Sequence, residues 1–186
     1  MANFDVWVNG FMDTLHRTTP VWASVATWVS TIGGTAVTSA LGVLIALALA
    51  FKKKWRSAAI MFLSISSTAF MLGLMKEFFL RARPFDALQV ITNNPSFPSG
   101  HAGMAAAFFV IVAYLLAPKI HSWIKRELMM VVCVLAVAAI GLSRLVLNVH
   151  WASDVIAGWA LGIFMATASI LFVRYVGTIL RKHSEN

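Results

Sequence analysis

Residues 128–180 read LMMVVCVLAVAAIGL, then SRLVLNVHWASD, then VIAGWALGIFMATASILFVRYVGTIL: two long apolar runs interrupted by the insert Ser143 to Asp154. A bilayer core needs about 20 apolar residues to cross. Leu128 to Val149 and Asp154 to Leu180 are therefore read as two spans of one membrane bundle. The insert between them carries a hydroxyl (Ser143), a guanidinium (Arg144), an imidazole (His150) and a carboxylate (Asp154) where one span ends and the next begins. Ionisable groups in such a place point to a site. His150 and Asp154 stand at i, i+4, a spacing at which the carboxylate can hold one ring N–H and leave the other nitrogen free to attack.

The rest of the chain fits the same class. Of its 186 residues 60% are hydrophobic and 12% charged, and the mean hydropathy of +0.81 is too high for an ordinary soluble domain. The chain reads as a single all-α domain, 1–186, with an interfacial N-terminal segment, 1–34, and a helical core, 35–180. Further spans are expected at Thr35 to Phe51, Ser57 to about Leu80 and His101 to Ala117, the last stopped by Pro118. Residues 4–16 alternate apolar and polar positions at helical spacing and read as an amphipathic helix on the membrane surface. Val21 to Ile32 is too short to span; it is either interfacial or a half-helix leading into the next run, and an alternative lets residues 21–51 supply a sixth span. No cleaved signal peptide is expected from the first residues.

The formal charge of +8 does not suggest nucleic acid, because the cations cluster between apolar runs as topology signals do. Lys52, Lys53, Lys54, Arg56, Lys119, Lys125, Arg126, Arg181 and Lys182 fall on one side, which the positive-inside rule makes cytoplasmic. Arg17, Lys76, Arg81, Arg83 and Arg144 fall on the other. With five spans the N-terminus would lie outside and the C-terminus inside. Cys133 reads as a small packing residue, the tryptophans as belt anchors, and Gly158 with Gly162 as a close-packing pair or, less favoured, a dimer seam.

Two further segments carry chemistry. If the second span continues as helix, Lys76 and Arg83 share a stripe, and Pro84 ends it; two fixed cations at a helix exit suit a dianion such as phosphate. Snorkelling at the interface is the bland alternative, and it suits Arg81, which Glu77 can partner at i, i+4. In Pro98-Ser99-Gly100-His101, Ser99 is placed as an N-cap and Gly100 leaves backbone N–H groups open to an anion. His101 stands at the same mouth.

Lys76-x6-Arg83-Pro84, Pro98-Ser99-Gly100-His101 and Ser143-Arg144-x5-His150-x3-Asp154, in that order and spacing, resemble the three-part signature of the type 2 phosphatidic acid phosphatases, the membrane branch of the acid phosphatase and vanadium haloperoxidase superfamily. The resemblance implies that His150 attacks phosphorus to form a phosphohistidine, that Asp154 orients it, and that His101 protonates the leaving oxygen and later helps activate water. It further implies that Lys76, Arg83, Ser99, Gly100 and Arg144 hold the phosphate oxygens. No metal and no cofactor are expected. The implied substrate is a lipid phosphate or diphosphate, such as undecaprenyl diphosphate, phosphatidylglycerol phosphate or phosphatidic acid, met at the outer face of a bacterial cytoplasmic membrane. Phe85, Leu88, Val90, Ile91 and Phe97 in the loop would dip into lipid. A phosphotransferase using the same intermediate, and a non-catalytic headgroup binder or transporter, are the alternatives; the binder leaves His101 and the His150–Asp154 pair without a purpose.

Overall fold

The computed structural model describes residues 2–84 and 94–184. Its elements are α1 (Ala2–Thr18), α2 (Pro20–Ile32), α3 (Thr35–Phe51), α4 (Trp55–Phe79), α5 (Gly100–Leu116), a 3₁₀ turn (Ala117–Lys119), α6 (Trp123–Val146) and α7 (Ala152–Ser184). Among the described residues there is no strand. Among the described residues five stretches are long and apolar enough to cross a membrane: Pro20–Phe51, Trp55–Phe79, Gly100–Lys119, Trp123–Val146 and Ala152–His183. The first runs through the Gly33-Gly34 break and takes in both α2 and α3.

Helix α5 is the centre of the bundle. Ala102, Met104, Ala105, Ala106, Ala107 and Ile111 are fully buried, and Met104, Ala107 and Ile111 pack in one cluster with Met61, Ile65 and Leu72 of α4 and Ala166 of α7. Small side chains on α5 let α7 approach closely. A Cβ on Gly162 would overlap the Gly103 carbonyl, and one on Gly158 would stand 2.6 Å from the Ser99 carbonyl. Close packing inside the bundle therefore explains the glycine pair. The contact has a consequence at the helix ends: the Ser99 N–H donates to the Asp154 carbonyl at 2.9 Å, fixing the start of α5 beside the start of α7.

Several boundaries differ from the sequence expectation. Helix α6 begins at Trp123 instead of Leu128, because the Ser122 hydroxyl caps it by accepting from the Lys125 N–H at 3.5 Å. It stops at Val146 instead of Val149. Asn148 takes φ 51, a left-handed conformation that asparagine tolerates, and Leu147 and Val149 turn inward to pack with Ala26 of α2. Helix α4 stops at Phe79, where Leu80 adopts φ 43, four residues before Pro84.

Helix α1 is amphipathic in an unusual sense. Its apolar Phe4, Val6, Trp7 and Phe11 are exposed, as expected at a lipid surface, whereas Asp5 and Asn9 are buried against the bundle. The face that packs carries these two polar residues beside Val8 and Met12.

Candidate active site

Because α4 ends at Phe79, Arg83 does not share a helical stripe with Lys76. It reaches the same place from an extended segment, 80–84, that runs beside the returning chain at 94–99. Ser96 ties the two together: its N–H donates to the Arg81 carbonyl at 2.8 Å and its hydroxyl to the Ala82 carbonyl at 3.0 Å. Lys76 Nζ donates to the Pro95 carbonyl at 2.6 Å, and Trp151 Nε1 to the Ala82 carbonyl at 2.9 Å. The first and third motif segments are thus bound to each other by main-chain acceptors.

The ends of these segments enclose a cavity of about 330 Å³. Lys76, Arg83, Gly100, His101, Arg144 and His150 line it, with Thr35 from α3 and Asn94 completing the polar wall. Arg83 Nη1 donates to the Val149 carbonyl at 2.7 Å and stands 3.4 Å from His150 Nε2; its Nε donates to the Asn94 carbonyl at 3.1 Å. Arg144, almost fully buried, donates through Nη1 to the Ser30 hydroxyl of α2, while its Nε has no partner. His101 Nδ1 lies 3.5 Å from the Thr35 hydroxyl. No carboxylate among the described residues lines the cavity. Three cations facing one space without a counter-charge form a receptor for a multiply charged anion.

Asp154 stands behind His150, off the cavity. Its Oδ2 lies 3.4 Å from His150 Nδ1 and accepts the Trp151 N–H at 2.9 Å. With Nδ1–H directed at the carboxylate, the lone pair of Nε2 faces the cavity beside Arg83. Burial, aided by the positive charges of Arg83 and Arg144 and opposed by the hydrogen bond to Asp154, pushes the His150 imidazole down to about 4. That shift favours the neutral ring at pH 7, with the Nε2 lone pair open to the cavity. Burial also lowers Arg83 below its ordinary value.

Ser99 occupies the N-cap position of α5 yet makes no side-chain cap. Its hydroxyl is buried with no partner, and it does not line the cavity. An unpaired buried hydroxyl carries a desolvation cost that a cap would have removed.

Arg81 is the largest departure from the sequence reading. Glu77 is exposed and does not hold it; instead Arg81 Nη1 donates to Asp154 Oδ1 at 2.6 Å and to the Ser153 hydroxyl at 2.7 Å, and Nη2 donates to Asp5 Oδ2 at 2.7 Å. Asp5 also accepts the Ser153 N–H at 2.8 Å. Burial alone would raise the Asp5 carboxyl, but bonds from Arg81 and Ser153 bring it below its usual value. Asn9, one turn on, donates to Asn148 Oδ1 and to the His150 carbonyl, each at 3.0 Å. Sequence reasoning missed Asp5, Asn9, Ser30, Thr35, Arg81 and Ser153. The available signal was the pair Asp5 and Asn9 at i, i+4 on the first helix, flanked by the apolar Phe4, Val6, Trp7 and Val8.

Among the described residues no group of three His, Cys, Asp or Glu is gathered as metal ligands. Of the loop residues expected to meet lipid, Phe85, Leu88, Val90 and Ile91 lie outside the described residues, and Phe97 packs edge-on against Phe79 with ring centroids 4.8 Å apart.

The PAP2 superfamily model matches residues 57–178. Phosphatidylglycerophosphatase B of Bacillus subtilis is 30% identical over 142 residues, covering 76% of this chain and 70% of that protein. An undecaprenyl-diphosphatase of Sulfolobus acidocaldarius is 29% identical over 109 residues, 55% of this chain and 48% of the relative. Among solved structures, a transmembrane PAP2 type phosphatidylglycerolphosphate phosphatase from Bacillus subtilis superposes with a TM-score of 0.78 at 25% identity, over 94% of this chain and 84% of that one.

Proposed function

This chain belongs to the PAP2 superfamily and is a membrane lipid phosphatase; from that premise we propose that it hydrolyses a lipid phosphate or diphosphate through a phosphohistidine on His150. The observation that carries the mechanism is the position of His150: Nε2 at the cavity wall, Asp154 behind Nδ1, and a guanidinium 3.4 Å from the attacking nitrogen. In the first step Nε2 forms a bond to phosphorus while the bond to the leaving oxygen breaks. His101 gives that oxygen its proton, and Asp154 balances the charge that develops on the imidazole. In the second step water, giving a proton to His101, attacks phosphorus and the P–N bond breaks to release phosphate. Lys76, Arg83, Arg144 and the Gly100 N–H hold the equatorial oxygens as charge builds. Ser99 would join them only by a rotation of its unpartnered hydroxyl toward the anion.

A lipid substrate suits the rest of the wall. Ala69, Leu72 and Gly73 of α4 form its apolar part, and the space beside Gly73 is open, which leaves an exit for an apolar chain into the bilayer. The relatives differ in the lipid named for each, so the substrate class here is the phosphorylated headgroup of a phospholipid or polyprenol. The lysine-rich turn between α3 and α4 and the basic tail of α7 lie at the other end of the bundle. By the positive-inside rule that end is cytoplasmic and the cavity opens outward.

The test is phosphate release by the purified chain in detergent from a panel of lipid phosphates and diphosphates, with excess chelator and no acceptor alcohol. Hydrolysis on His150 predicts turnover under those conditions, competition by vanadate, and acid-labile, base-stable labelling of the protein by radioactive phosphate. Turnover that needs added Mg²⁺, or labelling that survives in His150→Ala, contradicts it.

A further inference from the structure

A second built cavity lies at the opposite end of the bundle. It measures about 490 Å³ and is lined by Arg56, Ser57 and Ile60 of α4, Tyr114 of α5, and Val173, Arg174 and Thr178 of α7. Its depth follows from two independent rulers. Arg56 is twenty residues before Lys76 on α4, and Arg174 is twenty residues after Asp154 on α7; at 1.5 Å per residue each lies about 30 Å from the active-site end. That equals the thickness of a bilayer core, so both guanidinium groups stand at headgroup level in the leaflet away from the active site. Trp55, exposed beside Arg56, fits that interface.

Arg56 is held in place across helices. Its Nη2 donates to the Gly177 carbonyl at 3.3 Å, and a Cβ at position 177 would come within 3.1 Å of the guanidinium, so glycine lets the side chain lie against α7. Arg174 makes no side-chain hydrogen bond or ion pair among the described residues, and no carboxylate lines the cavity. The loop and tail cations, Lys52 to Lys54 and Lys182, are accounted for by topology. These two arginines differ because they are set into helices and share a cavity with the Ser57, Tyr114 and Thr178 hydroxyls. An inter-helix pocket of that composition recognises a phosphate oxygen pair and a neighbouring hydroxyl or ester.

We propose that this cavity binds the phosphodiester headgroup of an anionic phospholipid from the leaflet opposite the active site, bridging α4 to α7. The proposal does not rest on the hydrolytic reading. The shared chemistry is a phosphate anion, and free phosphate is the competing source.

Thermal unfolding of the full chain in detergent tests it, with phosphatidylglycerol, phosphatidylcholine or inorganic phosphate added. Phosphatidylglycerol should raise the unfolding temperature of the wild type and of His150→Ala alike, and Arg56→Gln/Arg174→Gln should need about tenfold more of it for the same rise, as expected for loss of charge-assisted hydrogen bonds. Arg174→Gln alone, whose side chain holds no other element, should show the same direction of change and keeps the test open if the double variant does not fold. An equal rise with phosphatidylcholine, an unchanged response in the arginine variants, or a rise abolished by Lys76→Gln would overturn the proposal. So would an equal rise with inorganic phosphate, which would make the ligand a soluble anion.

Discussion

Arg81 and Arg83 sit two residues apart on one extended segment and end in opposite circumstances. Arg81 meets Asp154, Asp5 and Ser153, and its charge is cancelled in the fold. Arg83 meets two carbonyls and the edge of an imidazole, and its charge is left facing the cavity, as are those of Lys76 and Arg144. The difference separates two tasks. A guanidinium saturated by carboxylates holds other groups in position, whereas cations gathered without counter-charge repel one another until an anion arrives. The first region should govern the stability of the site, and the second its rate.

The strongest perturbation removes the imidazole proposed as nucleophile, which both regions face. His150→Ala should lower phosphate release by at least about 10³-fold while the chain stays folded; residual turnover near the wild-type level would remove the phosphohistidine. Next, Arg144→Gln should reduce kcat/KM by about 10²- to 10³-fold, the usual loss for one donor to a developing oxyanion. Its unfolding temperature should hold or rise, since one of three like charges is gone. Asp5→Asn should do the reverse in kind: a smaller loss of rate, about 10- to 100-fold and mostly in kcat, as for other groups that orient a reacting residue from behind. It should also cost about 1–3 kcal/mol of stability, because Arg81 and the Ser153 N–H lose a charged acceptor. If Asp5→Asn left stability unchanged, or Arg144→Gln destabilised the fold more than Asp5→Asn did, the division between holding and receiving would fail.

What the sequence disclosed follows the same division. The cavity cations were legible because a charge with no nearby partner, in an apolar chain, advertises itself; His150 was legible from Asp154 at i+4, and His101 from its place at the same mouth as the cations. The spans were legible from their length. Arg81 was misread since its partners are remote: Asp5 lies 76 residues away and Asp154 lies 73, whereas Glu77 at i−4 offered a local alternative that the fold does not use. The exit of α6, and the conditional continuation of α4 to Pro84, were misplaced for a related reason. Leu80 and Asn148 end those helices by left-handed turns, and neither a proline nor a glycine marks them. Leu147 and Val149 look like span residues, yet their apolar side chains are spent on packing with Ala26 of α2. Ser99 stands at a cap position and does not cap, which only the path of the backbone decides.

The smallest effect is on protons, and it probes how the two regions meet at His150. Its imidazole lies at about 4 instead of the ordinary 6.5, so the folded protein keeps the ring neutral through a window in which the unfolded chain is protonated. The stability associated with that neutral ring is complete above the unfolded value and is lost as pH falls toward the folded one. Histidine NMR of the free protein, with His150 assigned by difference from His150→Gln, should show a ring that does not titrate between pH 8 and about 5. Asp154→Asn removes the contact that favours the charged form and should move the midpoint lower; Arg144→Gln removes a repelling charge and should move it higher. A midpoint near 6.5 in the wild type, or shifts of the same sign in both variants, would mean that Asp154 and the cavity arginines do not act on this ring in opposite directions.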